Sequence, residues 1–205
     1  MQLTASNIGK RFNREWIFRG VNYTFSAGNA YAITGPNGSG KSTLLQVLAG
    51  ATMQSEGQVS ATLNGKDMPA DKLFLQLAIA APYLELIEEM TALEFLQFHT
   101  HFKPLCITNT EALQKVGLSA AAQKQIRYFS SGMKQRLKLA QAIFSQAPIL
   151  FLDEPCTNLD AEGIALYQQL ITEFGAAKLI LVSSNDIQEY GFCQEVLQIG
   201  AYKVG

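Results

Sequence analysis

The sequence predicts an α/β fold built on a mainly parallel sheet, and three observations carry that prediction. Short apolar runs recur along the chain at residues 30–34 ("AYAIT"), 74–81 ("FLQLAIAA"), 149–152 ("ILFL") and 179–183 ("LILVS"). They alternate with stretches of helical periodicity, and strands separated by helices on a single core imply a mainly parallel sheet. The first run opens into "GPNGSGKST", a glycine-rich turn at the strand end where such sheets bind ligands.

Composition supports one folded unit over residues 1–205. The chain is 48% hydrophobic and 16% charged, enough apolar content for a sizeable core. A formal net charge of -1, without a long basic block, argues against a grip on nucleic acid or anionic lipid. Cys106, Cys156 and Cys193 are odd in number and widely spaced, which fits neither a disulfide framework nor a zinc cluster; a reducing cytosol is the expected setting. The opening "MQLTASNIGKRF" lacks the apolar core of a signal peptide. No apolar run approaches the roughly 18 to 20 residues of a membrane helix. No repeat or linker marks a second independent domain.

After the first strand, Gly35, Gly40, Lys41 and Ser42 satisfy G-x-x-x-x-G-K-[ST]. The glycines let Gly35, Pro36, Asn37, Gly38, Ser39 and Gly40 curl so that successive N–H groups face one concavity. The helix beginning near Ser42 and Thr43 adds its positive end, and Lys41 reaches the outer phosphates. Ser42 supplies a hydroxyl ligand for Mg²⁺.

The run at 149–152 leads into "DEP". Asp153 is charge-matched to Mg²⁺, while Glu154, one residue further out, can polarise a water for attack on the terminal phosphate. Between these elements, "YFSSGMKQRLKLAQAIFSQ" reads as a helix capped by Ser130 or Ser131, with Leu137, Leu139, Ala140, Ile143 and Phe144 on its apolar face.

Taken in order, the phosphate loop, "FSSGM", "FLDEP" and "TNLD" resemble the ATP-binding cassette (ABC) family over nearly the whole chain. Phe129 to Met133 occupy the five positions of its LSGGQ signature. The resemblance implies a P-loop NTPase fold, ABC ATPase-like, with an antiparallel β lobe and a helical lobe near 83–145. It also implies that cassettes close head to tail, each phosphate loop sandwiching ATP against Ser130, Ser131 and Gly132 of the other. Asp160 matches the aspartate that links the two sites. Phe12 falls where the family stacks an aromatic ring on adenine, with a plain core Phe as the rival reading.

Two positions depart from the family. Asn185 stands where most members have a histidine on the γ-phosphate. Its amide can donate a hydrogen bond but cannot carry the positive charge or share a proton, and a helix cap before "DIQEY" is the rival role. Pro82 stands at the family's Q-loop glutamine and offers neither side-chain ligand nor N–H, so a water, Tyr83 or Glu85 would have to stand in. Both changes bear on hydrolysis rate more than on ATP binding.

Thr91 and Glu94 form a capping box for the next helix. Tyr83, Glu85, Glu88 and Glu89 form an acidic, aromatic stretch where the family receives its membrane subunit; a solvated acidic turn is the alternative. His99 and His101, two apart on a helix, diverge and do not suggest a metal, and Cys156 is expected to pack as a small residue. The chain is expected to end in strands at "EVLQIG" and "AYKVG".

The resemblance implies a stand-alone subunit of a transporter, hydrolysing ATP with Mg²⁺ as a homodimer or heterodimer beneath separate permease chains at the inner face of the membrane, in an exporter-type system. The rivals are a slowly hydrolysing ATP-gated clamp and a soluble non-transport ABC ATPase.

Overall fold

A computed structural model describes residues 1–203. The chain forms β1 (Gln2–Phe12), β2 (Glu15–Ser26), β3 (Ala30–Thr34), α1 (Lys41–Leu48), β4 (Glu56–Leu63), β5 (Lys66–Met68) and β6 (Leu77–Ala80). Then follow α2 (Ala92–Phe102), α3 (Asn109–Lys115), α4 (Ser131–Ile143), β7 (Ile149–Asp153), α5 (Ala161–Phe174), β8 (Leu179–Ser183), α6 (Ile187–Tyr190) and β9 (Glu195–Gln198).

The strands make two sheets. The first has the order β2-β1-β4-β5, and its pairings are antiparallel. The second has the order β6-β7-β8-β3-β9, and its pairings are parallel. Every residue of β7 and β8 is buried, because the parallel sheet is covered on both faces; such strands read as continuous apolar runs rather than as alternating ones. Side chains still alternate between two cores. Tyr31, Ile33, Phe151, Leu179 and Leu181 pack with α1 and the antiparallel sheet, whereas Ala78, Leu150, Leu152, Ile180 and Val182 pack with α2 to α5.

Two expected strands are trimmed. Of "FLQLAIAA" only Leu77–Ala80 pairs, opposite Ile149–Leu152; Phe74 and Leu75 lie in a 3-10 turn, Ala70–Gln76, and are exposed. At the far end β9 stops at Gln198, the last partner of β3. "AYKVG" is not a strand where described: Ala201 and Tyr202 belong to a 3-10 turn, Ile199–Tyr202, and the remainder of that expectation, Val204 and Gly205, lies outside the described residues. The buried Ile199 pins this turn into the core. Among the described residues no helix is long and apolar enough to cross a membrane.

Candidate nucleotide site

Helix capping singles out one helix end. Thr91, Thr108, Ser130, Asp160 and Asp186 cap α2, α3, α4, α5 and α6 with their side chains. Helix α1 has Gly40 at its N-cap, with no side-chain cap and no acid in its first turn. Its first N–H groups and its positive end are therefore left for an anion. Gly40 is required there. Its φ is +102°, and a Cβ would lie 2.5 Å from Ile17 Cγ2.

Asn37 to Thr43 line a cleft of about 210 Å³ together with Ile17 and Glu154. Lys41 is buried and turned back on the loop, its Nζ donating to Gly35 O at 2.8 Å and Pro36 O at 3.4 Å. These carbonyls hold an ammonium that a phosphate would draw outward. Asp153 is also buried, and its Oδ1 has no hydrogen-bond partner. A buried, unpartnered carboxylate oxygen is costly unless something binds it. Together with the Ser42 hydroxyl, such a carboxylate would suit Mg²⁺, which takes few protein ligands and completes its octahedron with substrate phosphates and waters.

Glu154 begins the turn after β7. It adopts φ +44°, a left-handed conformation that costs a non-glycine residue about 1 to 3 kcal/mol and persists only when its surroundings enforce it. Its N–H donates to Ser183 O at 2.9 Å. Glu154 lines both the phosphate-loop cleft and a second cleft of about 220 Å³ bounded by Asn37, Thr157, Ser184, Asn185, Asp186 and Glu189.

Asn185 is not a helix cap; that role belongs to Asp186, whose side chain accepts from Gln188 N–H at 2.9 Å. Instead Asn185 Oδ1 accepts from Gly35 N–H at 2.9 Å, fastening the loop after β8 to the phosphate loop and leaving its NH₂ as a donor.

Ser130, Ser131 and Gly132 form one wall of a separate cleft of about 420 Å³, with Arg136 and Asn158 to Asp160 along the other. Ser130 accepts from Met133 N–H at 3.2 Å, so its own O–H proton stays available to an acceptor. A Cβ on Gly132 would meet Asn158 O at 3.0 Å. Asp160 caps α5 through Gly163 N–H at 2.8 Å and faces Arg136 at 3.4 Å; these contacts hold its carboxyl below the usual range.

Phe12, the last residue of β1, is 50% exposed with Lys10 Nζ 4.6 Å from its ring centroid. It is not a core residue, and Ile17 rather than Phe12 borders the phosphate cleft. Pro82 follows β6 and uses its carbonyl to accept from Lys138 Nζ at 3.0 Å. Of the possible stand-ins, Tyr83 sits beside Gln46 and Asp153; burial, with the Asp153 charge, pushes its phenol up. Glu85 instead lies by Lys138.

The acidic stretch is largely neutralised within the chain, since Glu88 pairs with Lys134 and Glu89 lies 3.9 Å from Arg127. Tyr83, Ile87 and Tyr128 are exposed beside these carboxylates. His99 stacks on Phe95, burial lowering its pKa, and His101 Nδ1 lies 2.7 Å from Gln97 O. Cys156 packs in the helical core, and burial pushes its thiol up to about 12. Sequence reasoning missed Ile17, Gln135 and Glu189. The last two are buried polar side chains whose partners are backbone atoms far along the chain.

A phosphate loop, a second strand ending in Asp-Glu and a capped serine-glycine helix start therefore share one molecule, and the family description "ABC transporter" matches residues 18–157. The chain belongs to the ABC transporter family. It is 32% identical over 192 residues to the cytochrome c biogenesis ATP-binding export protein CcmA of Mesorhizobium japonicum, covering 91% of this chain and 92% of that one. An ATP-binding protein from Pyrococcus furiosus, described as a putative ABC transporter, superposes with a TM-score of 0.84 at 20% identity over 100% of both chains. A dimeric cassette solved in a post-hydrolysis state with ADP and Pi superposes with a TM-score of 0.80 at 23% identity, covering 97% of this chain and 95% of that one. The chain thus shares its fold with both solved structures.

Proposed function

We propose that this cassette binds and hydrolyses ATP with Mg²⁺ at a head-to-tail dimer interface and drives separate membrane subunits, as an exporter-type component at the inner face of the membrane. The observation that carries the reading is the convergence, on one cleft, of the uncapped α1 N-terminus, Lys41 and Glu154, the last of these next in sequence to the unpartnered carboxylate of Asp153. The cytochrome c export name of a relative at 32% identity supports export.

In this reading the loop N–H groups and Lys41 bind the β- and γ-phosphates. Lys41 exchanges the Gly35 and Pro36 carbonyls for phosphate oxygens as the nucleotide enters. Ser42 and Asp153 would hold Mg²⁺, which neutralises charge on the phosphates. Glu154, in the same cleft, orients and deprotonates the attacking water, and the Asn185 NH₂ donates to the γ-phosphate. Ser130 O–H and the first N–H groups of α4 complete the site from a second copy. Their contact with the γ-phosphate exists only while ATP is present, so binding closes the dimer and hydrolysis releases it. Tyr83 stands in for the absent Q-loop glutamine beside Asp153.

Steady-state ATPase turnover with Mg²⁺ tests this at concentrations that allow dimers. Glu154→Gln is expected to lower kcat by about 10²- to 10⁴-fold, while Asn185→His exceeds wild type by regaining a titratable donor. Wild-type turnover that Glu154→Gln leaves intact would remove Glu154 as the base. A second reading, a slowly hydrolysing ATP-gated clamp, is favoured by Asn185, which holds Gly35 but cannot share a proton; it predicts ATP-induced dimers without turnover.

A further inference from the structure

The turn that carries Glu154 is held by two buried side chains from different helices. Gln135 of α4 is buried and donates from Nε2 to Pro155 O at 2.6 Å. Glu189 of α6 is buried and accepts at Oε1 from Cys156 N–H at 2.7 Å. The Pro155 carbonyl and the Cys156 N–H belong to the same peptide unit, and no peptide bond here is cis, so the two groups point in opposite directions from one plane. One peptide is thus gripped from both sides, one residue beyond Glu154 at φ +44°.

We propose that Glu189 and Gln135 are positioning residues that clamp the Pro155–Cys156 peptide and so aim Glu154 at the attacking water, tying the Glu154 turn both to the signature helix and to the Asn185 loop. The proposal rests on the reading of Glu154 as the base. Glu189 is well placed for this second link. The Ser184 hydroxyl faces the same carboxylate and accepts from Asp186 N–H at 2.9 Å, while Tyr167, fully buried, donates from its hydroxyl to Glu189 O at 2.7 Å. Asn185, one residue from Ser184, is fastened to the phosphate loop through Gly35. Displacement of α4 or α6 is therefore transmitted to Glu154 through one rigid peptide. A base must lie within hydrogen-bond reach of its water, and shifts near 1 Å cost about 10²-fold.

Glutamine at 189 keeps an oxygen that accepts from Cys156 N–H; alanine does not. Two readouts separate positioning from general destabilisation: kcat and KM for ATP with Mg²⁺, and amide hydrogen exchange over residues 154–158 in the nucleotide-free protein. Glu189→Ala is expected to lose at least about tenfold in kcat with KM changed less than about threefold. Its Cys156 amide should exchange at least about tenfold faster. Glu189→Gln should return both to within about threefold of wild type, and Gln135→Ala should lower kcat as Glu189→Ala does.

The clamp is overturned if Glu189→Ala keeps wild-type kcat, if its whole loss lies in KM, or if Cys156 exchange is unaltered. Should the alanine variants not fold, Glu189→Asp, one methylene too short for Cys156, is read by the same criteria. If wild type shows no turnover that Glu154→Gln abolishes, the reading of Glu154 fails, whereas the exchange measurement still decides whether the peptide is clamped.

Discussion

Replacing Asn185 separates the two tasks of its carboxamide. The oxygen accepts from Gly35 N–H at 2.9 Å, and the NH₂ is left for the cleft shared with Glu154 and Thr157. Asn185→Ala removes both. The contact the NH₂ would make to the anionic γ-phosphate is worth about 1.5 kcal/mol at this exposed position, so turnover should fall about tenfold. Asn185→Asp keeps the acceptor for Gly35 but presents a negative oxygen where a donor stood. Two unit charges about 4 Å apart interact by about 4 kcal/mol at an effective dielectric near 20. Solvent screening at this exposed position leaves about half of that, equivalent to about thirtyfold in rate. The closer isostere should therefore be the more damaging. Steady-state turnover at saturating ATP, with melting temperatures confirming that both variants fold, measures the difference. Asp performing as well as Ala would refute the assignment of the NH₂ to the γ-phosphate.

Four further outcomes follow from the structure. Gly40→Ala places a Cβ 2.5 Å from Ile17 Cγ2 at φ +102°; nucleotide affinity should drop at least about tenfold in a fluorescent-ATP titration, the conformational strain alone costing about 1 to 2 kcal/mol. Thr91→Ala deletes the α2 capping box and should cost about 1 kcal/mol, or about 2 to 4 °C in Tm. The Thr91 N–H and hydroxyl hold the Glu94 carboxyl below its ordinary pKa. Its contribution is complete above the ordinary carboxylate value and is lost as pH falls through the lowered one, so the Tm gap between wild type and Glu94→Ala should close in acid. Burial pushes the Cys156 and Cys193 thiols up to about 12, which leaves little thiolate near pH 8; iodoacetamide followed by peptide mass spectrometry should label exposed Cys106 first.

The parts legible in the sequence are those whose physics is local. Strands β3, β7 and β8 show as unbroken apolar runs because both of their faces are covered, and the phosphate loop shows because its glycines and lysine are contiguous. The start of β6 was misjudged because Phe74 and Leu75 are apolar yet exposed, and hydropathy alone does not report which surface is covered. The antiparallel sheet came only from family resemblance. Register shifts between Ala5 and Ile8 and again before Arg11 break the alternation of β1, erasing the period-two signal. Gln135 and Glu189 were invisible for another reason: each bonds to backbone brought near by the fold, 20 and 33 residues away in sequence. The pairing of Glu88 and Glu89 with Lys134 and Arg127 was hidden in the same way.

If each catalytic site is shared between two chains, mixing two inactive variants should reveal it. Lys41→Ala disables the phosphate loop. Ser131→Glu puts a carboxylate at the exposed start of α4, where it suits the helix dipole but repels a phosphate. In a mixed dimer with sites formed in trans, one site carries both defects and the other carries none. Mixing the two purified variants with Mg²⁺ and ATP should restore turnover, to about a quarter of wild type if the chains pair at random and the intact site works alone. A mixture as inactive as its components, alongside an active wild type, would rule out sites shared between chains.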